Sequence, residues 1–223
     1  MNVGEHLLFT RGLNSFQRNA VSAHMQLARG VYVVQGEYQK LSREDKYLLR
    51  CAALGIEGRP LIGASAAALW GMPVIVHKRE QVHIIGTGRP RAGVCQTRLT
   101  RGDLRTTTLC GFEISLTSPA LTVIDIARWE GLAQAVRCGD FAVATNLSTE
   151  DELLYALAQR ARTAGIDTAR TAVRLINAFS ESPRESDVKV ALFQAGFPAP
   201  LPASQHLGYR RRLHRPRRFL LPR

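Results

Sequence analysis

The stretch SFQRNAVSAHMQLARGVYVV, Ser15–Val34, decides how this chain is read. Ser15 is a suitable helix N-cap, because its hydroxyl can accept from a free backbone N–H two or three residues further on. Behind it Phe16, Ala20 and Ala23 fall on one helical face at i, i+4 and i+7. Gln17, Arg18 and Ser22 lie on other faces, with Asn19 near the border. From Met25 the pattern changes to one that breaks at Arg29-Gly30, a turn signal, and resumes as Val31-Tyr32-Val33-Val34. That predicts a two-stranded hairpin.

Working outward, residues 3–12 predict a short first helix ending at Gly12. Ser42 predicts the cap of another helix, with Glu44 and Asp45 in its first turn and Arg50 near its end, matching the helix dipole. Short helix, helix, hairpin, helix is the order of a winged helix, which sets one helix in the major groove and the hairpin on the DNA backbone. In that frame Gln17, Arg18, Asn19 and Ser22 are the candidate groove contacts. Arg fits guanine in a bidentate manner, and Asn or Gln fits adenine. Arg29, at the wing turn, would rest on phosphates. The competing reading is an ordinary amphipathic surface helix.

Beyond residue 60 strands and helices mix. Ala64–Ala68 predicts a tightly packed helix stopped at Gly71, and Pro73 restarts the chain as a strand. Further strands are expected at Gln81–Ile85, Gly93–Arg98 and Leu109–Leu116. Thr117-Ser118-Pro119 is a helix start with Pro at the first position. Helices follow over Gly131–Ala144, from Ser148 to about Thr163, over Thr168–Phe179, and from Ser182-Pro183 to Gly196. The expected class is α+β.

The chain has 223 residues, 45% of them hydrophobic, and 22% charged, which fits a folded protein. No apolar run reaches the roughly 20 residues of a membrane span, and Met1–Thr10 does not read as a signal peptide. The expected location is the cytoplasm. Cys51, Cys95, Cys110 and Cys138 lack metal-ligand or disulfide spacing and are expected to be free, mostly buried thiols. A net charge of +12 points to a polyanionic partner. Residues 199–223 alone contribute +7, and 26 of the 30 basic residues are Arg, as GC-rich codons would yield without functional demand. Composition by itself therefore supports nucleic-acid binding only weakly.

Four segments in order carry a resemblance: ARGVYVV (Ala28–Val34), IGASAAALWGMP (Ile62–Pro73), ISLTSPALTVIDIAR (Ile114–Arg128) and SPRESDVKVALFQAGFPAP (Ser182–Pro200). Over about residues 15–200 the chain resembles the actinobacterial AbiEi-type antitoxin-like proteins. The resemblance implies a winged helix, an α/β central domain, and a C-terminal segment similar to very-short-patch-repair endonucleases of the PD-(D/E)XK class. On this chain the corresponding divisions are residues 1–58, 59–180 and 181–223. The implied role is sequence-specific binding of double-stranded DNA, autoregulation of an operon and, in true antitoxins, neutralisation of a toxin protein.

The nuclease likeness is incomplete. A PD-(D/E)XK site needs a helix Glu, then an Asp and a Glu-x-Lys on strands, to hold Mg²⁺ and orient water. Glu185 matches the helix Glu of the SPxES pattern, but no Asp or Glu follows Asp187. Ser204–Arg223, SQHLGYRRRLHRPRRFLLPR, takes the place of the missing strands and reads as a frameshifted or truncated end, or as a basic arm tracking phosphates. No catalytic residue, metal or cofactor is expected, so neither is an enzymatic activity. His24, His77 and His83 lack ligand spacing, and Asp125 reads as a carboxylate paired within a helix bundle. Gly86–Gly93, GTGRPRAG, lacks the Gly-Lys-Ser/Thr of a phosphate loop, although Arg89 and Arg91 could touch phosphates. Two other readings stay open: a degenerate repair-type endonuclease, and a toxin-binding module that does not bind DNA.

Overall fold

The computed structural model describes residues 1–10, 24–77, 81–87, 91–97 and 103–197. The protein is mixed α/β, with about half of the described residues helical. A short 3-10 turn at Val3–Glu5 leads to β1 (Leu8–Phe9), and the hairpin β2 (Met25–Ala28) and β3 (Val31–Val33) follows. Then come α1 (Gln35–Lys40), α2 (Arg43–Ile56) and α3 (Gly63–Leu69). The strands β4 (Val82–Ile85), β5 (Val94–Thr97), β6 (Leu104–Leu109) and β7 (Phe112–Thr117) precede the helices α4 (Pro119–Trp129), α5 (Leu132–Ala144), α6 (Glu150–Gln159), α7 (Ile166–Leu175) and α8 (Pro183–Gln194).

Of the helix expected over residues 3–12, the described part, residues 3–10, is not α-helical. Leu8 and Phe9 instead pair antiparallel with Tyr32 and Val31, giving a small sheet in the order β1-β3-β2. Val3 and Leu7 are buried beneath it. With Gly4 and Gly12 in so short a segment, helix propensity is outweighed by the backbone partners that β3 supplies. The predicted helix from Ser15 lies outside the described residues.

The second sheet is held together by a segment that is not itself a strand. Leu61 bridges Ile84 on one side and Leu116 on the other. Its N–H donates to the Ser115 carbonyl at 2.9 Å, and Ile62 N–H donates to His83 at 3.1 Å. The strand order across this sheet is thus β5, β4, residues 60–62, β7, β6. Residues 74–77, directly after Pro73, do not form the expected strand. The strand expected over Leu109–Leu116 is in fact a hairpin whose turn falls at Cys110-Gly111. Both turn residues have positive φ, 53° and 78°, as a two-residue type I′ turn requires. The Thr106-Thr107-Thr108 run before it extends the first strand back to Leu104.

Two apolar clusters form the core. One gathers Val31, Val33, Tyr47, Leu49, Leu61, Ile84, Ile114 and Leu116, and so contains residues from both sides of position 58. The other gathers Leu121, Ile124, Ile126, Val136, Leu153, Ala169 and Val190. Helix α3 lies between them, with Ala64 and Ala66 in the first cluster and Ala67 in the second. Its alanines let backbone approach backbone on two sides. Trp70 at its end packs on both clusters and donates its indole N–H to the Thr117 carbonyl at 2.9 Å.

The helix starts follow their caps. Ser42, Ser118 and Ser182 cap α2, α4 and α8 as expected. Helix α6 is capped by Thr149 instead of Ser148, because Thr149 and Glu152 complete a capping box. Helix α7 starts at Ile166 and ends at Leu175, earlier than expected. Helix α1 was not anticipated; it is short and has no buried residue.

Buried charge ties the helices together. Asp140 accepts from Lys189 Nζ at 2.9 and 2.7 Å, from the Ser180 and Ser186 hydroxyls at 2.7 and 2.6 Å, and from Asn177 N–H at 2.8 Å. Arg137 on α5 pairs with Asp187 on α8. Asp125 is fully buried and paired with Arg128 at 2.7 Å and Arg160 at 3.4 Å. Burial pushes the Asp125 carboxyl up, with the two arginines offsetting part of that. Removing one partner of a buried pair strands the other charge. Lys189→Met should therefore cost about 3–5 kcal/mol in urea unfolding. Adding Asp140→Leu removes the orphaned carboxylate but strands the Ser180 and Ser186 hydroxyls and the Asn177 N–H, so it should recover only part of that loss.

Candidate nucleic-acid interface

The turn of the β2–β3 hairpin is made by Arg29 and Gly30, the glycine at φ 76°, where an L side chain would be strained. A bulge between Gln26 and Ala28 precedes it, and the Gln26 side-chain amide donates to the Ala28 carbonyl at 3.1 Å. The hairpin is held from two sides. Thr10, just past β1, donates its N–H to the Gly30 carbonyl at 3.0 Å. On the other side Glu57, the C-cap of α2, accepts the Arg29 backbone N–H at 3.0 Å.

Glu57 is the hub of this end of the molecule. Its side chain is 8% exposed, and Oε2 also accepts from Arg91 Nη1 at 2.9 Å, while Arg59 lies 3.6 Å from Oε1. Burial pushes the Glu57 carboxyl up, but the Arg29 amide and the Arg91 and Arg59 guanidinium groups outweigh it, so its pKa lies below the ordinary value. Half-exposed Arg91 contributes little on its own. The backbone N–H held by a largely buried carboxylate is the stronger tether.

Several basic side chains near the hairpin are spent internally. Arg43 donates to the Val76 carbonyl at 3.3 Å, Lys46 to Gln39 at 2.8 Å, and Arg50 to Gly93 at 2.7 Å. Lys46 also sits over the Tyr38 ring, 5.9 Å from its centroid. Arg29 and Lys40 remain exposed, with no ion pair among the described residues. Beside the turn lies an open hollow of about 440 Å³, lined by Phe9, Thr10, Gln26, Arg29, Glu57 and Phe112 among others. Phe9 and Phe112 form its apolar side, with ring centroids 4.9 Å apart. Tyr32 is half-buried in the hairpin.

Of the residues singled out from sequence, Arg29 is exposed at the hairpin turn. Gln17, Arg18, Asn19 and Ser22 lie outside the described residues, as does Arg89. Glu185 serves its own helix: it accepts from Glu181 N–H at 3.0 Å and from the Ser182 hydroxyl at 3.1 Å, while Ser182 Oγ accepts Glu185 N–H. His83 stacks on Trp129 at 6.0 Å. The cysteines are free thiols, Cys51 and Cys138 buried and Cys95 and Cys110 half-buried. Glu57 was missed by sequence reading, because a carboxylate 28 residues from the amide it holds leaves no local signal.

No protein-family model matches the chain, and no curated protein matches it.

The Glu57 tether should be pH-dependent in a set direction. A carboxyl whose folded pKa is depressed contributes fully above its unfolded value and loses that contribution as pH falls through the folded one. Glu57→Gln should thus destabilise the protein by about 1–2 kcal/mol at neutral pH. The gap between variant and wild type should narrow below about pH 4.3, the ordinary glutamate value. Paired denaturant titrations from pH 7 to pH 3 read this out, and a constant gap would refute the role given to Glu57.

Proposed function

We propose that the chain is a DNA-binding regulator resembling AbiEi-type antitoxins, with residues 1–58 acting as a winged helix and β2–β3 as its wing. The observation that carries this reading is the hairpin turn. It is pinned by Thr10 and Glu57, and it presents the exposed Arg29. A turn fixed at two points can hold a guanidinium against a phosphate with little ordering left to do on binding. In this reading Gln17, Arg18, Asn19 and Ser22 read bases from the neighbouring helix, and Arg29 positions the domain on the backbone. Autorepression of its own operon and engagement of a toxin protein belong to the same proposal and rest on the resemblance.

The C-terminal segment is proposed to be catalytically silent. The carboxylate that matches a nuclease helix Glu, Glu185, is engaged in the Ser182 cap, where it accepts from the Ser182 hydroxyl and the Glu181 N–H.

A gel shift on the DNA upstream of the gene tests the reading. Wild-type protein should retain a specific complex in the presence of competitor DNA. Arg18→Ala should weaken that complex by about 1–3 kcal/mol and relax specificity at one position. Arg29→Ala should weaken specific and non-specific binding alike and reduce the salt slope by about one. Equal affinity for all duplexes would contradict the proposal. Purified protein with Mg²⁺ should leave plasmid intact; cleavage that Glu185→Ala abolishes would overturn the silent assignment.

A further inference from the structure

The segment leading into β5 is strapped to α2 at two points. Arg50 Nη2 donates to the Gly93 carbonyl at 2.7 Å. Seven residues further along, and so on the same face, Glu57 accepts from Arg91 Nη1 at 2.9 Å. The oxygen that takes Arg91, Oε2, also takes the Arg29 N–H at 3.0 Å. The hairpin turn and the segment before β5 therefore meet at one atom. The end of α2 brings a third arginine to the same carboxylate. Gly58, at φ 92°, donates its N–H to the Gly55 carbonyl at 2.9 Å, and Arg59 N–H donates to Leu54 at 3.0 Å, which is a Schellman motif. Arg59 Nε then lies 3.6 Å from Glu57 Oε1.

The charges are layered. The Glu57 side chain is 8% exposed, against 41% for Arg59 and 50% for Arg91. Arg29 is exposed at the turn, and only its backbone is held by Glu57. Three guanidinium groups thus stand outside one sunken carboxylate, which compensates a single positive charge. Arg91 meets it through Nη1 and Arg59 through Nε, so each has further N–H donors that the carboxylate does not use. Half-exposed pairs of this kind add little to stability. They do restrict the guanidinium groups, which leaves less side-chain freedom to lose when an anion is bound.

We infer that Arg59 and Arg91 form one phosphate-binding surface with Arg29, so that the DNA backbone runs from the hairpin turn onto the central part of the chain. Both residues lie outside the 1–58 segment to which the winged-helix reading assigns DNA contact. The inference rests on the proposal that this chain binds duplex DNA. Its occupant follows from charge: guanidinium groups gathered around one carboxylate match successive phosphates of a strand, each through a charge-assisted hydrogen bond. Such contacts set the position of the protein on the duplex and carry no sequence information.

Fluorescence anisotropy with the full chain decides it, using the duplex upstream of the gene and a scrambled duplex of the same length, from about 50 to 200 mM NaCl. Arg59→Ala and Arg91→Ala should each reduce the slope of log K against log salt by about one, and together by about two, on both duplexes. Arg91→Lys keeps the charge and should keep the wild-type slope. Arg170→Ala is the control for net charge: Arg170 is also 50% exposed and paired with a carboxylate, Asp167, but sits on α7. It should leave the slope unchanged, and all variants should keep the wild-type circular dichroism. If the double variant keeps the wild-type slope while Arg29→Ala lowers it, this inference is overturned and the DNA-binding reading stands. An equal loss in Arg170→Ala also overturns it, since net charge alone would then set the slope. A wild type that binds neither duplex sinks both.

Discussion

The short run from Glu57 to Ile62 is the constraint on which the rest depends. Its first residue holds the turn of the N-terminal hairpin through a backbone N–H. Its fifth, Leu61, is wholly buried and lies between β4 and β7, completing a sheet that neither strand pair would form alone. Six residues thus place the hairpin relative to the central sheet. Without Leu61 the strands would be two isolated pairs, and a two-stranded sheet is marginal in water. Without Glu57 the Arg29 N–H would lose its acceptor and the turn would be held by Thr10 alone.

The helical half obeys a different rule. Here apolar contact supplies cohesion, and buried ionic contacts set the arrangement. Asp125 bonds α4 to Arg160 at the end of α6, while Asp140 bonds α5 to Lys189 and Ser186 on α8 and to the connection before it. Such pairs add little net stability against an apolar replacement. They penalise any packing in which the partners fail to meet, and so fix which helix lies against which. This explains why α8, whose later residues Leu192 and Phe193 remain exposed, is nonetheless held in one place.

Much of this was legible in the sequence. Where a cap or turn is local, the residues name it: Ser42, Ser118 and Ser182 open their helices, and Arg29-Gly30 turns the hairpin. Asp125 was recognisable as a paired carboxylate in a bundle. What was not legible depends on distant partners. Leu8-Phe9 becomes a strand only because β3 is there to receive it, and Cys110-Gly111 makes a hairpin turn without the Asn-Gly or Asp-Gly signal. At the candidate interface Arg29 was readable from its turn. Glu57, which fixes that turn, was not, since the amide it holds lies 28 residues away in sequence.

The hairpin and the segment before it carry the functional reading, so the direct measurement is hydrogen exchange across residues 15–34 in the presence and absence of an upstream duplex. Slowed exchange concentrated in those peptides, lost on adding salt, is the expected result. Unchanged exchange there, with protection falling instead on the α4–α8 helices, would contradict a DNA-reading N-terminus.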